Sequence, residues 1–337
     1  MSAARVGIGI AVVGTGVMGR RHAENAARSV PGARLAAIFD ADRAVANRVA
    51  SELQADACGS LEQLLARDDV DVVVIASPSR FHAEHAVAAL EAGKDVLLEK
   101  PMAHSLADCD RIIGAAARAK RRLQIGFMRR YDPAYAEAKR LIASGALGEP
   151  RLFRAVHRDR EASYLPAEAG VRDLMFESTI HDFDLARFLL DDDIAAVTTT
   201  AAALCHERGA HGHAPSAALN AVTFRRGGVA DIETYWGAVY AYDVRTEVVC
   251  ASGTAMIGHQ QRTRLDVYTA AGAAHDLFPG FLERFGDAYR EELIDFVRGA
   301  RERREPRVTG ADGRAAVAAA IAGVAAYASG RAENVAA

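Results

Sequence analysis

Lys100 is one of four lysines in the sequence, and it stands where a side chain could do chemistry. It belongs to Glu99-Lys100-Pro101, which directly follows the apolar run Val96–Leu98. If that run is a buried parallel strand, ligands bind beyond its carboxyl end. A lysine there can reach a reacting carbon and stabilise a developing alkoxide, and the proline fixes the backbone that aims it. Taken alone, the three residues are more typical of a surface turn.

A second set of chemically capable residues lies in Glu177-Ser178-Thr179-Ile180-His181-Asp182-Phe183-Asp184. Glu177 and His181 are four positions apart and share one face of a helix, and Asp184 continues the stripe. A histidine beside a carboxylate can act as a general base near neutral pH. The cluster alone is equally typical of a histidine satisfied in a helix–helix contact.

A glycine-rich segment near the start predicts a dinucleotide site. Gly14-Thr15-Gly16-Val17-Met18-Gly19 matches G-x-G-x-x-G, follows an apolar run and opens a helical pattern. Gly14 permits the tight turn, Gly16 lets the backbone approach a pyrophosphate, and Gly19 lets helix and strand pack. Asp40 follows at the spacing of an acid that binds the ribose hydroxyls. Because its carboxylate repels a 2′-phosphate, the sequence predicts NAD over NADP. The alternative is a glycine-rich turn near a surface acid.

The elements around these residues change character near Met128. Up to there, strand and helix patterns alternate, and the run Val70–Ala76 suits a strand buried on both faces. Beyond it come strand-like runs joined by short turns, interrupted by one amphipathic helix over Asp173–Leu190 and closed by two helices. The sequence therefore predicts an α/β Rossmann domain over residues 1–128. An α+β domain with a large, mostly antiparallel open sheet is predicted over 129–337.

Composition narrows the class of protein. The 337 residues carry a formal net charge of −3, which gives no reason to expect nucleic acid or an anionic membrane as partner. No apolar run reaches the roughly 20 residues of a membrane span. The opening residues read as a first strand rather than a signal peptide.

Cysteines and histidines give no sign of a metal or of disulfides. Cys58, Cys109, Cys205 and Cys250 are widely scattered and form no C-x-x-C, which favours the cytoplasm. His206, His211 and His213 lie in a glycine-rich stretch without zinc-like spacing, so a solvated loop is predicted there.

Several motifs together resemble one family, that of glucose–fructose oxidoreductase, inositol dehydrogenase and rhizopine catabolism proteins (GFO/IDH/MocA). The resemblance covers nearly the whole chain and is most specific towards inositol 2-dehydrogenases. Its motifs are Gly14–Gly19, Ser77–His82, Glu99–Pro101, Gly126–Pro133, His157-Arg158, Ile180–Asp184, Tyr240–Asp243 and Arg284–Leu293.

The resemblance implies roles for individual residues. Lys100 would contact the substrate hydroxyl and the nicotinamide ribose, His181 would be the acid/base, and Glu177 would bind substrate and orient the histidine. The implied cofactor set adds Ser77, Pro78, His82, Glu99 and Arg129 to the glycine loop and Asp40. The implied substrate set is Lys100, Arg129, His157, Asp159, Glu177, His181 and Tyr242.

Two of these positions depart from the family pattern. Glu177 stands where aspartate is usual, and Asp159 stands where an asparagine is often found. The redox chemistry remains plausible with both, but they leave the identity of the polyol open.

The expected activity is NAD-dependent oxidation of a secondary hydroxyl, with myo-inositol to 2-keto-inositol as the best single reaction. Another inositol isomer, a sugar or a sugar phosphate is the alternative substrate. A dinucleotide-dependent sensor without turnover, and glycoside cleavage through transient use of bound NAD, are the alternative functions. The resemblance also implies association of the open sheets into a dimer or tetramer.

Overall fold

The computed structural model describes residues 7–160, 170–204, 215–258 and 261–337. The chain divides into two compact units. The first contains Met1–Met128 and Asp287–Val317, and the second contains Arg129–Gly286 and Ala318–Ala337. The predicted histidine loop around His206 lies outside the described residues. Within them, no helix is both long enough and apolar enough to span a membrane.

The first unit is built on a parallel sheet, as predicted. Its strands are β1 Ile8–Val13, β2 Ala33–Phe39, β3 Asp56–Ala57, β4 Val72–Ile75, β5 Asp95–Glu99 and β6 Leu123–Gly126. Its helices up to Met128 are α1 Val17–Arg28, α2 Arg43–Leu53, α3 Leu61–Leu65, α4 His82–Glu91 and α5 Leu106–Ala119. The strand order is β3-β2-β1-β4-β5-β6, with every pair parallel. All four residues of β4 are buried, which explains its uninterrupted apolar sequence. The order reverses at β1 and β4, the point where ligands bind in open α/β sheets.

The segment Asp287–Val317 groups with the first unit, whereas the sequence expectation placed it in the second. The reason is burial of its apolar stripe. Leu293, Phe296 and Val297 belong to the same buried cluster as β1 residues Ile10 and Val12. Helical periodicity identified the helix, but it carries no information about which sheet the helix covers.

The second unit carries the larger sheet. Its strands are β7 Pro150–Asp159, β8 Ile194–Ala202, β9 Ala217–Phe224, β10 Val229–Trp236, β11 Asp243–Cys250, β12 Thr254–Ile257, β13 Gln261–Thr269, β14 Gly272–Leu277 and β15 Glu333–Asn334. Its helices are α6 Pro133–Ala143, α7 Val171–Asp173 and α8 Ile180–Leu190. Two helices, α9 Phe281–Glu302 and α10 Gly310–Ser329, run through the unit boundaries. The sheet order is β12-β11-β7-β10-β9-β8-β15, and only the β7–β10 pair is parallel among its described pairs. The fold prediction of a Rossmann domain plus a mostly antiparallel sheet is confirmed.

Side chains on the strands of this sheet alternate between buried and open positions. On β9, Ala218, Asn220 and Val222 are buried, while Leu219 between them is 55 % exposed. The same alternation runs along β10 and β11. One face therefore packs on the unit's interior, and the other face is open in the single chain.

The predicted amphipathic helix over Asp173–Leu190 is interrupted. Between α7 and α8, Leu174–Thr179 form a π-helix, in which each turn holds an extra residue. The Thr179 hydroxyl donates to the Leu174 carbonyl at 3.1 Å and lies 2.8 Å from the Thr234 hydroxyl on β10. Glu177 therefore lies in the widened turn and His181 in the α-helix that follows, so the simple four-residue spacing does not describe their relation.

Candidate active site

Close packing explains two of the three loop glycines. Gly14 has a φ of +86°, and a Cβ there would lie 2.6 Å from the Ser77 backbone. A Cβ on Gly19 would lie 1.8 Å from the Gly14 carbonyl oxygen. Gly16 differs, because a Cβ there would meet nothing within 4 Å. The loop is tight on its protein side and open at Gly16, as close approach of a ligand requires.

The first turn of α1 fits a dinucleotide pyrophosphate. Gly16 and Val17 are exposed and Met18 is half-buried, so the N–H groups of this turn face accessible space. The first turn contains no acidic residue that would repel an anion. The helix dipole and the free N–H groups favour phosphate at this end.

Asp40 is held by the glycine loop itself. The backbone N–H and the hydroxyl of Thr15 both donate to Asp40 Oδ2 at 2.6 Å. The N–H of Asp42 donates to Asp40 Oδ1 at 2.9 Å. The carboxylate is thus fixed at the end of β2 while retaining acceptor capacity for two ribose hydroxyls.

The remaining predicted residues of the first unit follow β4 and β5 at the same edge of the sheet. Ser77 is buried and its hydroxyl lies 2.9 Å from His85 Nδ1. Glu99 is buried at the end of β5, and Lys100 after it is half-buried. His82 is 1 % exposed, and its ring nitrogens face two carbonyl oxygens, those of Pro101 at 2.7 Å and Ser77 at 2.9 Å. Parallel strands therefore bring Gly14, Asp40, Ser77 and Lys100 to one edge.

In the second unit, three predicted residues meet around Asp182. Arg129 Nη1 donates to Asp182 Oδ1 at 2.9 Å, and His157 Nδ1 lies 3.0 Å from Asp182 Oδ2. Arg129 Nη2 donates to the Tyr242 hydroxyl at 3.3 Å. These four side chains are all buried and most of their polar atoms pair with one another, while Arg129 Nε has no hydrogen-bond partner among the described residues.

The contacts of His157 agree with one tautomer. The Asp182 carboxylate can only accept, so His157 Nδ1 carries the proton. The other ring nitrogen, Nε2, is then free to accept from Arg129 Nη2 at 3.3 Å. The ring edge also packs against Tyr242, with centroids 5.9 Å apart.

The pKa values of Arg129 and Tyr242 are shifted by burial and by the charges near them. Burial opposes the Arg129 charge, but Asp182 and the tyrosines hold the pKa of Arg129 above its ordinary value. Burial raises the pKa of Tyr242, and the nearby charge of Asp159 adds to that rise. The Arg129 guanidinium is therefore cationic and the Tyr242 phenol is protonated at neutral pH.

His181 and Glu177 lie in the same unit as this cluster. His181 is 6 % exposed in the first turn of α8, directly before Asp182, and Glu177 is half-buried in the π-helix. Asp184 forms a paired contact with Arg130, whose Nε and Nη2 donate to the two carboxylate oxygens at 2.8 and 2.6 Å. Asp182 and Asp184, the two acids that follow His181, are thus ion-paired with arginines from the segment after β6.

Asp159 lies at the end of β7, two residues beyond His157. Its carbonyl oxygen accepts from the N–H groups of Gly237 and Ala238 at 3.0 and 2.9 Å. Its carboxylate is close enough to influence the Tyr242 hydroxyl. The structure therefore associates Asp159 with Tyr242 inside the second unit.

Sequence reasoning assigned no role to three residues of this cluster. They are Asp182, Arg130 and Asp132, of which Asp132 accepts from Arg284 at 2.7 Å. Each stands in a motif that was singled out, Met128–Pro133 or Ile180–Asp184. The two arginines of the first motif and the two aspartates of the second were the available signal, but no spacing rule joins positions more than 50 residues apart.

A glycine loop with a ribose acid in one unit, and in the other a buried histidine followed by two ion-paired aspartates, define a dinucleotide-dependent oxidoreductase. Residues 8–127 match the GFO/IDH/MocA oxidoreductase family with its NAD-binding Rossmann fold, and residues 135–256 match the GFO/IDH/MocA C-terminal domain. The chain belongs to this family.

Relatives and solved structures align over most of the chain. Inositol 2-dehydrogenase 4 of Saccharopolyspora erythraea is 37% identical, covering 95% of this chain and 94% of the relative. The NAD-dependent scyllo-inositol 2-dehydrogenase of Bacillus subtilis is 32% identical, covering 90% and 89%. The structure of Lactobacillus casei scyllo-inositol dehydrogenase with NAD(H) and scyllo-inositol superposes with a TM-score of 0.90 at 26% identity, covering 98% of this chain and 100% of that chain.

Proposed function

We propose that the chain is an NAD-dependent inositol dehydrogenase that oxidises a secondary hydroxyl of a cyclic polyol. The best single reaction is myo-inositol to 2-keto-myo-inositol (scyllo-inosose). One observation carries the proposal. Lys100 and His181 both stand in a chain that is similar, over 95% of its length, to an inositol 2-dehydrogenase. A sensor without turnover has no need of this pair.

The roles of the two residues follow from their chemistry. His181 takes the hydroxyl proton as the alcohol becomes a ketone. Lys100 stabilises the negative charge that develops on the same oxygen. NAD, when bound, supplies the acceptor for the hydride. Gly14, Gly16, Val17, Met18, Gly19, Asp40, Ser77 and Pro78 are the residues that would hold it.

We assign the remaining residues according to what their polar atoms contact. Glu177 and Asp159 are half-buried and are the candidates for recognising polyol hydroxyls. Tyr242 lies near Asp159 and is therefore a third candidate for recognising the polyol. Arg129 and His157 direct their polar atoms at Asp182 and at each other. We therefore assign those two to holding the site rather than to contacting substrate or cofactor.

The choice of polyol depends on the two acids. A carboxylate accepts hydrogen bonds from hydroxyls but cannot donate, whereas an amide does both. Asp159 therefore favours a substrate that presents a hydroxyl donor at that position, and every ring carbon of an inositol carries a hydroxyl. A phosphate would also meet the negative charges of Asp159 and Glu177.

The decisive experiment measures NADH formation at 340 nm with NAD and a panel of substrates. The panel contains myo-, scyllo- and chiro-inositol, glucose, xylose and their phosphates. Turnover on an inositol alone is expected. Turnover on a sugar alone would contradict the inositol assignment, and NAD binding without any turnover would favour the sensor.

The proposal includes a homo-oligomer, a dimer or tetramer, formed through the open face of the second sheet. That face carries exposed apolar residues, among them Leu219 and Val229, between ion pairs such as Arg158–Glu233. Light scattering on the purified protein tests it.

A cytoplasmic location is also proposed, supported by the free thiols of Cys58, Cys109 and Cys250.

A further inference from the structure

On the amino-terminal side of Lys100, the backbone is held by a buried pair of side chains, His22 and Glu99. His22 Nε2 lies 2.8 Å from Glu99 Oε1, and the two residues are 0 and 5 % exposed. The other carboxylate oxygen, Oε2, accepts from the backbone N–H of Lys100 at 3.2 Å. The Glu99 side chain therefore links helix α1, which begins at the glycine loop, to the lysine backbone.

A second buried histidine holds the other side of Lys100. His82, at the start of α4, faces the Pro101 carbonyl with Nδ1 and the Ser77 carbonyl with Nε2. A carbonyl oxygen can only accept, so every proton on this ring is directed at one of these two backbones. His82 thereby joins the ends of β4 and β5 immediately beyond Lys100.

We propose that His22 and His82 are positioning residues that fix the backbone on both sides of Lys100 for its part in the reaction. The proposal rests on the function proposed above. It gives the glutamate of Glu99-Lys100-Pro101 a role in holding the lysine, and it moves His82 from the cofactor-contacting set to the supporting one.

Geometry explains why such support would be needed. A lysine side chain has four rotatable bonds, so the position of its ammonium group depends on where its backbone is held. Displacement of a catalytic group by about 1 Å can cost on the order of 100-fold in rate. His22 Nδ1 is buried without a hydrogen-bond partner among the described residues, which leaves Nε2 as the nitrogen that carries its proton to Glu99.

The main test uses three substitutions of His22. They separate the effect of losing the hydrogen-bond donor from the effect of changing the size of the side chain. His22→Gln places an amide nitrogen near the original Nε2, His22→Asn places it near Nδ1, and His22→Phe keeps the ring without a donor. We expect His22→Phe and His22→Asn to lower kcat about 10- to 100-fold, with NADH affinity within about threefold of wild type. His22→Gln should recover most of the loss. Asn25→Ala, a buried polar residue one turn along α1, is the matched control.

Two readouts distinguish positioning from a general loss of structure. The deuterium isotope effect on kcat, with substrate deuterated at the oxidised carbon, should rise in His22→Phe and stay unchanged in Asn25→Ala. In a Lys100→Met background, His22→Phe should lower the residual kcat no further, because residues that act as one unit are not additive. Additive losses, or equal losses in His22→Gln and His22→Phe, would overturn the proposal.

A third readout does not depend on turnover. With four lysines in the chain, competitive acetylation followed by mass spectrometry reports the reactivity of Lys100 relative to exposed Lys120. We expect this ratio to change by about threefold or more in His22→Phe and in His82→Leu, and to stay constant in Asn25→Ala. A constant ratio in all variants would refute the positioning role, even if wild type oxidised no inositol. A changed ratio without turnover would leave the positioning intact and count against the proposed function alone.

Discussion

Arg129 and Asp182 form an ion pair of 2.9 Å in which neither side chain is more than 1 % exposed. The pair joins the segment that follows β6 to the helix that carries His181. His157 and Tyr242 add further hydrogen bonds to the two charged groups. Asp182, which is next to the proposed base His181, is thus fixed by a contact with a residue 53 positions away in the sequence.

Removing one member of this pair should be costly for stability. Asp182→Leu leaves the buried Arg129 charge without its carboxylate, which we expect to lower the free energy of unfolding by about 3–5 kcal/mol. The double variant Arg129→Met/Asp182→Leu removes both charges and should be more stable than the single one. Urea unfolding followed by circular dichroism measures both. The exposed pair Glu137–Arg140 is the control, and Glu137→Ala should change the free energy of unfolding far less. A single variant as stable as the double would contradict the buried-charge argument.

The second arginine should affect catalysis through geometry. Arg130 binds Asp184 with two parallel hydrogen bonds, and lysine cannot reproduce that fork. We expect Arg130→Lys to lower kcat about tenfold by shifting α8, with NADH affinity unchanged. Steady-state rates and an NADH fluorescence titration measure the two quantities. Arg187→Lys, at the other end of α8, is the control. Unchanged kcat in Arg130→Lys would show that the salt bridge does not set the position of His181.

Local spacing accounts for what was predicted correctly. The glycine loop, its flanking strand and helix, and Asp40 all lie within the first 40 residues and follow one spacing rule, so the parallel sheet and its ligand edge were predictable. The alternation of apolar and polar residues along the strands of the second unit likewise predicted an antiparallel sheet with one open face.

Long-range contacts account for what was missed. The pairs Arg129–Asp182 and Arg130–Asp184 join residues more than 50 positions apart, and periodicity gives no sign of them. The π-helix before His181 ends at Thr179, whose hydroxyl lies 2.8 Å from that of Thr234 on β10, a tertiary contact that helical periodicity does not indicate. The assignment of Asp287–Val317 to the first unit rests on which sheet its apolar stripe covers.

Replacing Lys100 tests the proposed oxyanion role. Lys100→Met keeps an unbranched side chain of nearly the same length and removes its charge, so transition-state stabilisation is lost while the glycine loop and Asp40 are untouched. We expect kcat to fall on the order of 100- to 1,000-fold with NAD binding largely intact. Turnover on the best inositol and an NADH titration are the measurements. The control is Lys120→Met, at the far end of α5. Undiminished turnover in Lys100→Met would refute the assigned role.

Asp40 should determine the choice of cofactor. Thr15 holds its carboxylate at two points, so the negative charge is fixed where a 2′-phosphate would lie. Asp40→Ser removes that charge, and we expect the ratio of kcat/KM for NAD over NADP to fall by about tenfold or more. Thr15→Val, which removes one of the two donated hydrogen bonds, should reduce the ratio less. The same ratio in wild type and Asp40→Ser would mean that Asp40 is not the ribose acid.

The buried thiol of Cys109 should make stability depend on pH in the alkaline range. Burial, aided by the charge of Asp110, raises the pKa of Cys109 to about 12. In the unfolded chain a thiol ionises near pH 8.5, so between about pH 9 and 12 the unfolded chain releases a proton that the folded chain retains. The free energy of unfolding therefore falls as pH rises through that window, with a slope of up to about 1.4 kcal/mol per pH unit from this group.

Cys109→Ala should show a shallower slope than wild type in urea unfolding at pH 8 to 10. Iodoacetamide at pH 8 should label Cys109 only after unfolding. Rapid labelling in the folded protein, or equal slopes for wild type and variant, would contradict the raised pKa.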